Sequence, residues 1–393
     1  MDTLYAEKLD QAGRLLAGLG LDAWLLFVRE TDMQPDPSLP LICDLSFVWE
    51  AAVYVARDGR HAVVAGLHDC EPVRQTGLFG EVLPYVASIR EALGGLFARR
   101  DPQRVAVNFA PDNTAADGLT HGMFLKLQDI LAGTPYPARF ESSNDLVTPL
   151  RSCKSPTELT RMGAALRSAE AIWAATGAYL RAGRSEQEVA RFMLGETATR
   201  GLGTSWAADH CPSVKAGGST DEGHSRPGDR VIAPGMLVNI DFGVRQDGYC
   251  TDQQRMWYVR GPGETTAPPA VQQAFDAVAG AIQAAAAALR PGAIGWQIDA
   301  LARAHLAAAG FPEYQHALGH TVGRATHDGG TLLGPRWDRY GRLPFGTVLP
   351  GQVFTLEPSV DTAAGLVCLE EQVLATADGC AFLSPPQTAL MYL

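Results

Sequence analysis

No run of 18 apolar residues occurs in this 393-residue chain, so no membrane span is expected. There is no Cys-x-x-Cys pair either. The seven cysteines (Cys43, Cys70, Cys153, Cys211, Cys250, Cys368 and Cys380) are scattered, odd in number and set in a long chain. That argues against a disulfide framework and for a reducing compartment, so the cytoplasm is expected. Lys and Arg form no block, and a net charge of −11 with pI near 5.3 argues against nucleic acid or an anionic membrane as main partner. The N-terminus lacks the pattern of a signal peptide: Asp2, Glu7, Lys8, Asp10 and Arg14 interrupt its apolar residues as an amphipathic helix would. Residues 1–150 contain no Gly-x-Gly-x-x-Gly turn, no phosphate loop and no cluster of His with carboxylates. No internal repeat is visible.

What is present suits a globular protein of two domains, with 46% hydrophobic and 19% charged residues. Residues 3–19 read as a helix, and Ala23 to Val28 as a strand. Ser46 to Ala56 and His61 to Ala65 read as strands joined at Asp58-Gly59. Helical and extended patterns then alternate: Ile89–Ala98, Arg104–Phe109 and Gly118–Leu131, an α/β domain. Near 150–155 the pattern changes. Ser155 with Glu158, and Ser185 with Glu188, are capping boxes that open two helices. Pro268–Leu289 and Gly295–Ala309 are two more helices. Residues 328–352, rich in Gly and Pro, read as a long loop, and Val353–Leu356 and Leu366–Ala375 as strands.

The stretch from Val238 to Asp252 organises the second domain. Leu237–Ile240 is apolar and reads as a buried strand, which Asp241 interrupts. Asp247-Gly248 is a turn signal that folds the chain back, so Asp252 returns near Asp241. Two carboxylates on one sheet face repel unless something positive lies between them. Three further features join them. Three of nine histidines, His316, His320 and His327, fall within twelve residues beside Gly319 and Gly323. Glu357 ends an apolar strand just before Pro358, and Glu370-Glu371 lies in another strand. Alternation lets only one of that last pair face a given side. Each feature alone also reads as loop or strand-end polarity. Together, several carboxylates with imidazole form a borderline-hard ligand set that suits Mn, Co or Zn. Four carboxylates fit two divalent ions, and hydrolysis is the chemistry expected.

These motifs, Asp241-Phe242-Gly243, Gly248-Tyr249-Cys250-Thr251-Asp252, Gly319-His320-Thr321-Val322-Gly323, Glu357-Pro358 and the Glu370 strand, resemble the pita-bread metallopeptidases. That family includes methionine aminopeptidase, aminopeptidase P, Xaa-Pro dipeptidase and creatinase. The resemblance covers about residues 152–393; residues 1–150 look like the N-terminal domain of the proline-specific and creatinase branch. It implies an α/β (α+β) chain, with a creatinase-like domain over 1–150 and a pita-bread catalytic domain over 151–393. It implies two divalent metal ions, with Mn favoured over Co or Zn, held by Asp241, Asp252, His320, Glu357 and Glu370. The ending Val373-Leu374-Ala375-Thr376 selects Glu370 over Glu371 in that comparison. Glu357 matches the family's general base. His224, His316 and His327 match histidines that bind substrate and assist the tetrahedral intermediate and leaving nitrogen. Asp247 becomes a turn residue. The activity implied is that of an Xaa-Pro dipeptidase on small proline peptides, in a homodimer.

The chain departs from the proline-specific pattern twice. His327-Asp328-Gly329-Gly330 stands where those members read His-Glu-x-Pro, and Cys368 stands where they carry Arg. Arg336, Arg339 and Arg342 in the long loop are candidates for the missing cation. The rival readings are an aminopeptidase P acting on longer peptides, a non-catalytic binding protein, and a metal-free amidinohydrolase. The full ligand set argues against the last two.

Overall fold

The structure is a computed structural model describing residues 3–218 and 225–393. The chain divides into two compact units, Met1–Arg151 and Ser152–Leu393. Among the described residues no helix is long and apolar enough to cross a membrane.

The first unit is a six-stranded mixed sheet. Its strands are β1 (Ala23–Val28), β2 (Ala51–Ala56), β3 (Ala62–Gly66), β4 (Glu81–Tyr85), β5 (Val105–Val107) and β6 (Phe140–Ser142), in the order β4-β3-β2-β1-β5-β6. Strand alternation divides its apolar residues cleanly. Trp24, Leu26, Val53 and Val63 face the helix Thr3–Leu19, while Leu25, Phe27, Tyr54 and Val64 face the helices Arg90–Arg100 and His121–Ile130. The hairpin at Asp58-Gly59 is present, with Gly59 at φ 77°. β2 begins at Ala51 rather than Ser46, because the backbone of Phe47 and Val48 bonds instead to Thr31 and Glu30.

The second unit opens with the helices Pro156–Tyr179 and Glu186–Thr199, and both capping boxes are formed. Its strands are β7 (Gly203–Thr204), β8 (Ser213–Ala216), β9 (Leu237–Phe242), β10 (Val244–Gln246), β11 (Tyr249–Cys250) and β12 (Gln253–Tyr258). After the helices Pro269–Ala288 and Gly295–Ala308 come β13 (Val353–Leu356), β14 (Ser359–Thr362), β15 (Gly365–Cys368), β16 (Glu371–Ala375), β17 (Cys380–Phe382) and β18 (Met391–Tyr392). They form sheets ordered β18-β12-β9-β8, β11-β10-β7, β13-β16-β17 and β14-β15. On β8 and β9 every second residue, Val214, Ala216, Val238, Ile240 and Phe242, packs on the first two helices. The alternate residues, Ser213, Lys215, Asn239 and Asp241, therefore point to the opposite face.

The expected strand Leu366–Ala375 is two strands, broken at Leu369-Glu370. At the break the Glu370 backbone turns from its hairpin partner to exchange hydrogen bonds with Gln254 of β12, at 3.3 and 3.4 Å. That bridge ties the second hairpin to the first. The loop 328–352 holds only two short 3₁₀ turns, at Asp338–Tyr340 and Leu343–Phe345.

Candidate metal centre

The β10–β11 turn sets the first half of the site. Gln246 pairs with Tyr249, leaving Asp247 (φ 50°) and Gly248 (φ 82°) as a two-residue turn with both central residues at positive φ. This is the turn form whose twist matches a hairpin, and Gly at its second position avoids a Cβ penalty. Register passes unshifted into the longer pair, where Asp241 lies opposite Gln254. Asp252, two residues before Gln254, is thus the diagonal neighbour of Asp241 on the same face.

The second hairpin follows the same logic. Leu356 pairs with Glu371 and Ser359 with Cys368, so that register sets Glu357 across from Glu370. His320 arrives on a segment beside β13: Thr355 N donates to His320 O at 2.9 Å, and His320 N donates to Thr355 Oγ1 at 3.0 Å. The approach is so close that a Cβ on Gly319 would lie 1.9 Å from Thr355 O. Only glycine fits there.

The outcome is a buried cluster. His320 Nε2 lies 3.3 Å from Glu357 Oε1 and 3.6 Å from Asp252 Oδ2. Ligand atoms of Asp252, His320 and Glu370 all lie within 4.8 Å of one another. Asp241 and Glu370 are each in carboxyl contact with Asp252. Glu371 points away and is held by both Arg255 nitrogens at 3.0 and 3.1 Å.

Electrostatics show what the cluster lacks. Burial, then the charges of Asp252 and Glu357, push the Asp241 carboxyl well above its usual range. Burial and the same carboxylate neighbours push Glu370 up likewise. Burial lifts Asp252 to about 7 despite the pull of His320. Burial disfavours the His320 imidazolium, but its hydrogen bond to Glu357 and the charges of Glu357 and Asp252 raise it to about 8. Burial opposes ionisation of Glu357 too, yet His320 holds its carboxyl below the usual value.

Two buried oxygens, Asp241 Oδ1 and Glu370 Oε1, have no hydrogen-bond partner. Orphaned carboxylate oxygens converging with an imidazole fit divalent cations of the Mn, Co or Zn kind. His320 Nδ1 faces the Thr321 carbonyl at 3.3 Å. A carbonyl only accepts, so Nδ1 carries the proton of the neutral ring and Nε2 keeps its lone pair for the cluster.

The other histidines divide. His316 Nε2 contacts Ser359 Oγ at 2.8 Å, and Nδ1 contacts Ala317 O at 2.8 Å. His327 is exposed, its ring edge-to-face with His320 at 4.3 Å. His224 lies outside the described residues.

Some supporting residues escaped sequence reasoning. Thr355 Oγ1 donates to Glu357 Oε1 at 3.1 Å while accepting from His320 N. Gln254 Nε2 donates to Glu370 Oε2 at 3.1 Å. Asp328, where the proline-specific pattern has Glu, is fully buried and paired with Lys154 at 2.8 Å. It anchors the loop carrying His327. The expectation of a loop arginine in place of the missing cation is corrected. Arg336 sits over the Trp296 ring at 4.4 Å, and Arg339 stacks on Trp337 and Tyr340 while donating to Gln315 O. Aromatic faces already occupy both guanidinium groups.

Four carboxylates and an imidazole converging from two hairpins and a Gly-flanked segment define a metal-dependent hydrolase. The model of metallopeptidase family M24 matches residues 160–377, more than half of the chain, and the chain belongs to that family. The chain is 27% identical over 266 residues to the uncharacterized peptidase YqhT of Bacillus subtilis, covering 67% of this chain and 69% of that one. Two further bacterial matches cover 64% and 65% of the relatives' lengths, so the chain spans about two thirds of them. Among solved structures, an X-Pro aminopeptidase of Thermotoga maritima MSB8 superposes with TM-score 0.73 at 19% identity, covering 97% of this chain and 100% of that one. An Xaa-Pro dipeptidase of Bacillus anthracis does so with TM-score 0.73 at 20% identity, covering 99% and 100%. The fold is the pita-bread fold of these peptidases, behind a mixed α/β unit.

Proposed function

We propose that this metallopeptidase cleaves the bond before proline in dipeptides or short peptides, with two divalent ions held by Asp241, Asp252, His320, Glu357 and Glu370. The observation that carries the metal part is the convergence of Asp252, His320 and Glu370 with two orphaned carboxylate oxygens beside them. The proline part is supported by the two solved relatives named for Xaa-Pro bonds. Manganese is the expected metal and a homodimer the expected assembly.

Divalent ions in such a site supply Lewis acidity toward a carbonyl and acidify water. The chain's own groups do the rest. Glu357 is kept ionised by His320, and Thr355 fixes its Oε1, which leaves Oε2 to accept a proton from the attacking water. His327 is open to solvent at the edge of the cluster, placed to hold the peptide carbonyl. His316, set by Ser359 and Ala317, and His224 are the candidates to protonate the leaving imide nitrogen.

The test is a panel of Xaa-Pro dipeptides, tripeptides with proline second, and proline-free controls, run with Mn, Co, Zn and chelator. Metal-dependent cleavage confined to proline peptides is expected. Inactivity on every Xaa-Pro peptide with all three metals would overturn the reading. Preference for tripeptides would move the assignment to an aminopeptidase P.

A further inference from the structure

The second unit holds a buried ammonium that nothing within the chain satisfies. Lys215 on β8 is 8% exposed. Register sets it opposite Asn239, and sets Ser213, two residues earlier, opposite Asp241. Lys215 and Asp241 are therefore diagonal neighbours on the face that carries the carboxylates. Two effects confirm the direction of its charge: it pulls down both the Asp241 carboxyl and the Cys368 thiol, against burial and neighbouring carboxylates that push them up.

Other buried cations of the chain have acceptors. Lys8 donates to Leu150 O, Lys154 to Asp328, Arg255 to Glu371 and Arg303 to Asp299. Lys215 has no hydrogen bond and no ion pair among the described residues. An ammonium carries three donors, and desolvating them without an acceptor is unfavourable. Such a group persists where something from outside the chain completes it. Neighbouring groups do not compete for that role. The Asn239 amide already donates to Gln254 Oε1 and to Cys368 O. Cys368, in the position where the resemblance predicts arginine, offers only a thiol with its pKa pushed up by burial and carboxylates.

We propose that Lys215 is a substrate-binding residue that receives a carboxylate of the peptide, beside the Asp241 end of the metal centre. This rests on the peptidase reading above and deepens it by naming the substrate's chemistry. That carboxylate comes from an acidic side chain or from the free C-terminus of a short peptide, and the two sources are separable.

Calorimetric titrations of the metal-loaded protein separate them with uncleavable probes: L-glutamate against L-glutamine, and L-proline against L-prolinamide. Wild-type protein should prefer the acid in one pair by about tenfold or more, the order of one charge-assisted hydrogen bond. A preference in the first pair assigns the side chain, and in the second the terminus. Lys215→Met should abolish the ratio and leave the neutral probe's affinity intact, while Lys215→Arg should keep it. The proposal is overturned if wild type shows neither preference, if the preference survives in Lys215→Met, or if that variant weakens acid and neutral probe equally. Since no probe is cleaved, the result is independent of whether Xaa-Pro bonds are hydrolysed.

Discussion

Two adjacent glutamates show how one position in a strand decides between chemistry and support. Glu370 faces Asp252 and His320, with one oxygen unpartnered. Glu371 faces Arg255 and also accepts from Gln387 N at 2.7 Å. Glu370→Gln should therefore lower metal stoichiometry and cut activity by about a hundredfold or more, with little change in the stability of chelated protein. Glu371→Gln should leave metal content unchanged but destabilise the fold by about 3 kcal/mol, because Arg255 loses its buried partner. Metal analysis and urea denaturation of both variants check this, and the two phenotypes exchanged would refute the assignment. Sequence pattern alone allowed either glutamate to face the site. The choice needed a partner for Glu371, and Arg255 lies 116 positions away. Lys215 was hidden for a related reason: it is one of only four lysines, but nothing local in Ser213–Ala216 marks it as unpartnered.

At the scale of elements, the hairpins and helix caps were legible because their signals are local. Asp247-Gly248 and the Ser-x-x-Glu boxes at 155 and 185 need only neighbours within a turn. The break at Glu370 was not legible, since it depends on β12 competing for the backbone of that residue. Gly319 was read as a point of close approach, and the structure identifies what approaches: the Thr355 carbonyl. Gly319→Ala should push the His320 segment off β13 and break the hydrogen bonds that Thr355 makes to it. A loss of metal affinity of about 10–100-fold follows, although no ligand has changed. Titration of the variant with Mn measures it, and wild-type affinity would show that the segment can shift without cost.

For the whole molecule, metal and proton compete. Asp252 (about 7) and His320 (about 8) both lie above their ordinary values in the metal-free fold. A raised value means the folded state holds more protons than the unfolded one, so each of these two groups lowers stability as pH rises through its window. Divalent ions need the same groups deprotonated. The thermal stabilisation gained on adding Mn to chelated protein should accordingly grow between pH 6 and pH 8, with proton release on binding. Melting curves with and without metal across that range decide it; a gain that shrinks toward pH 8 would contradict the charge balance described. Hydrogen exchange should localise the gain to β9, β12 and β13, leaving the six-stranded sheet of the first unit unchanged.

The two-residue turn at Asp247-Gly248 has a further consequence, one of parity. Pairing carries from Gln246–Tyr249 to Asp241–Gln254 without a bulge, so the chain between the two aspartates works like a reading frame. Adding one residue to the turn would shift the frame and send Asp252 to the helix-packed side, whereas adding two would restore it. Length variation tolerated in this hairpin should therefore come in steps of two, even though the turn itself touches nothing in the metal centre.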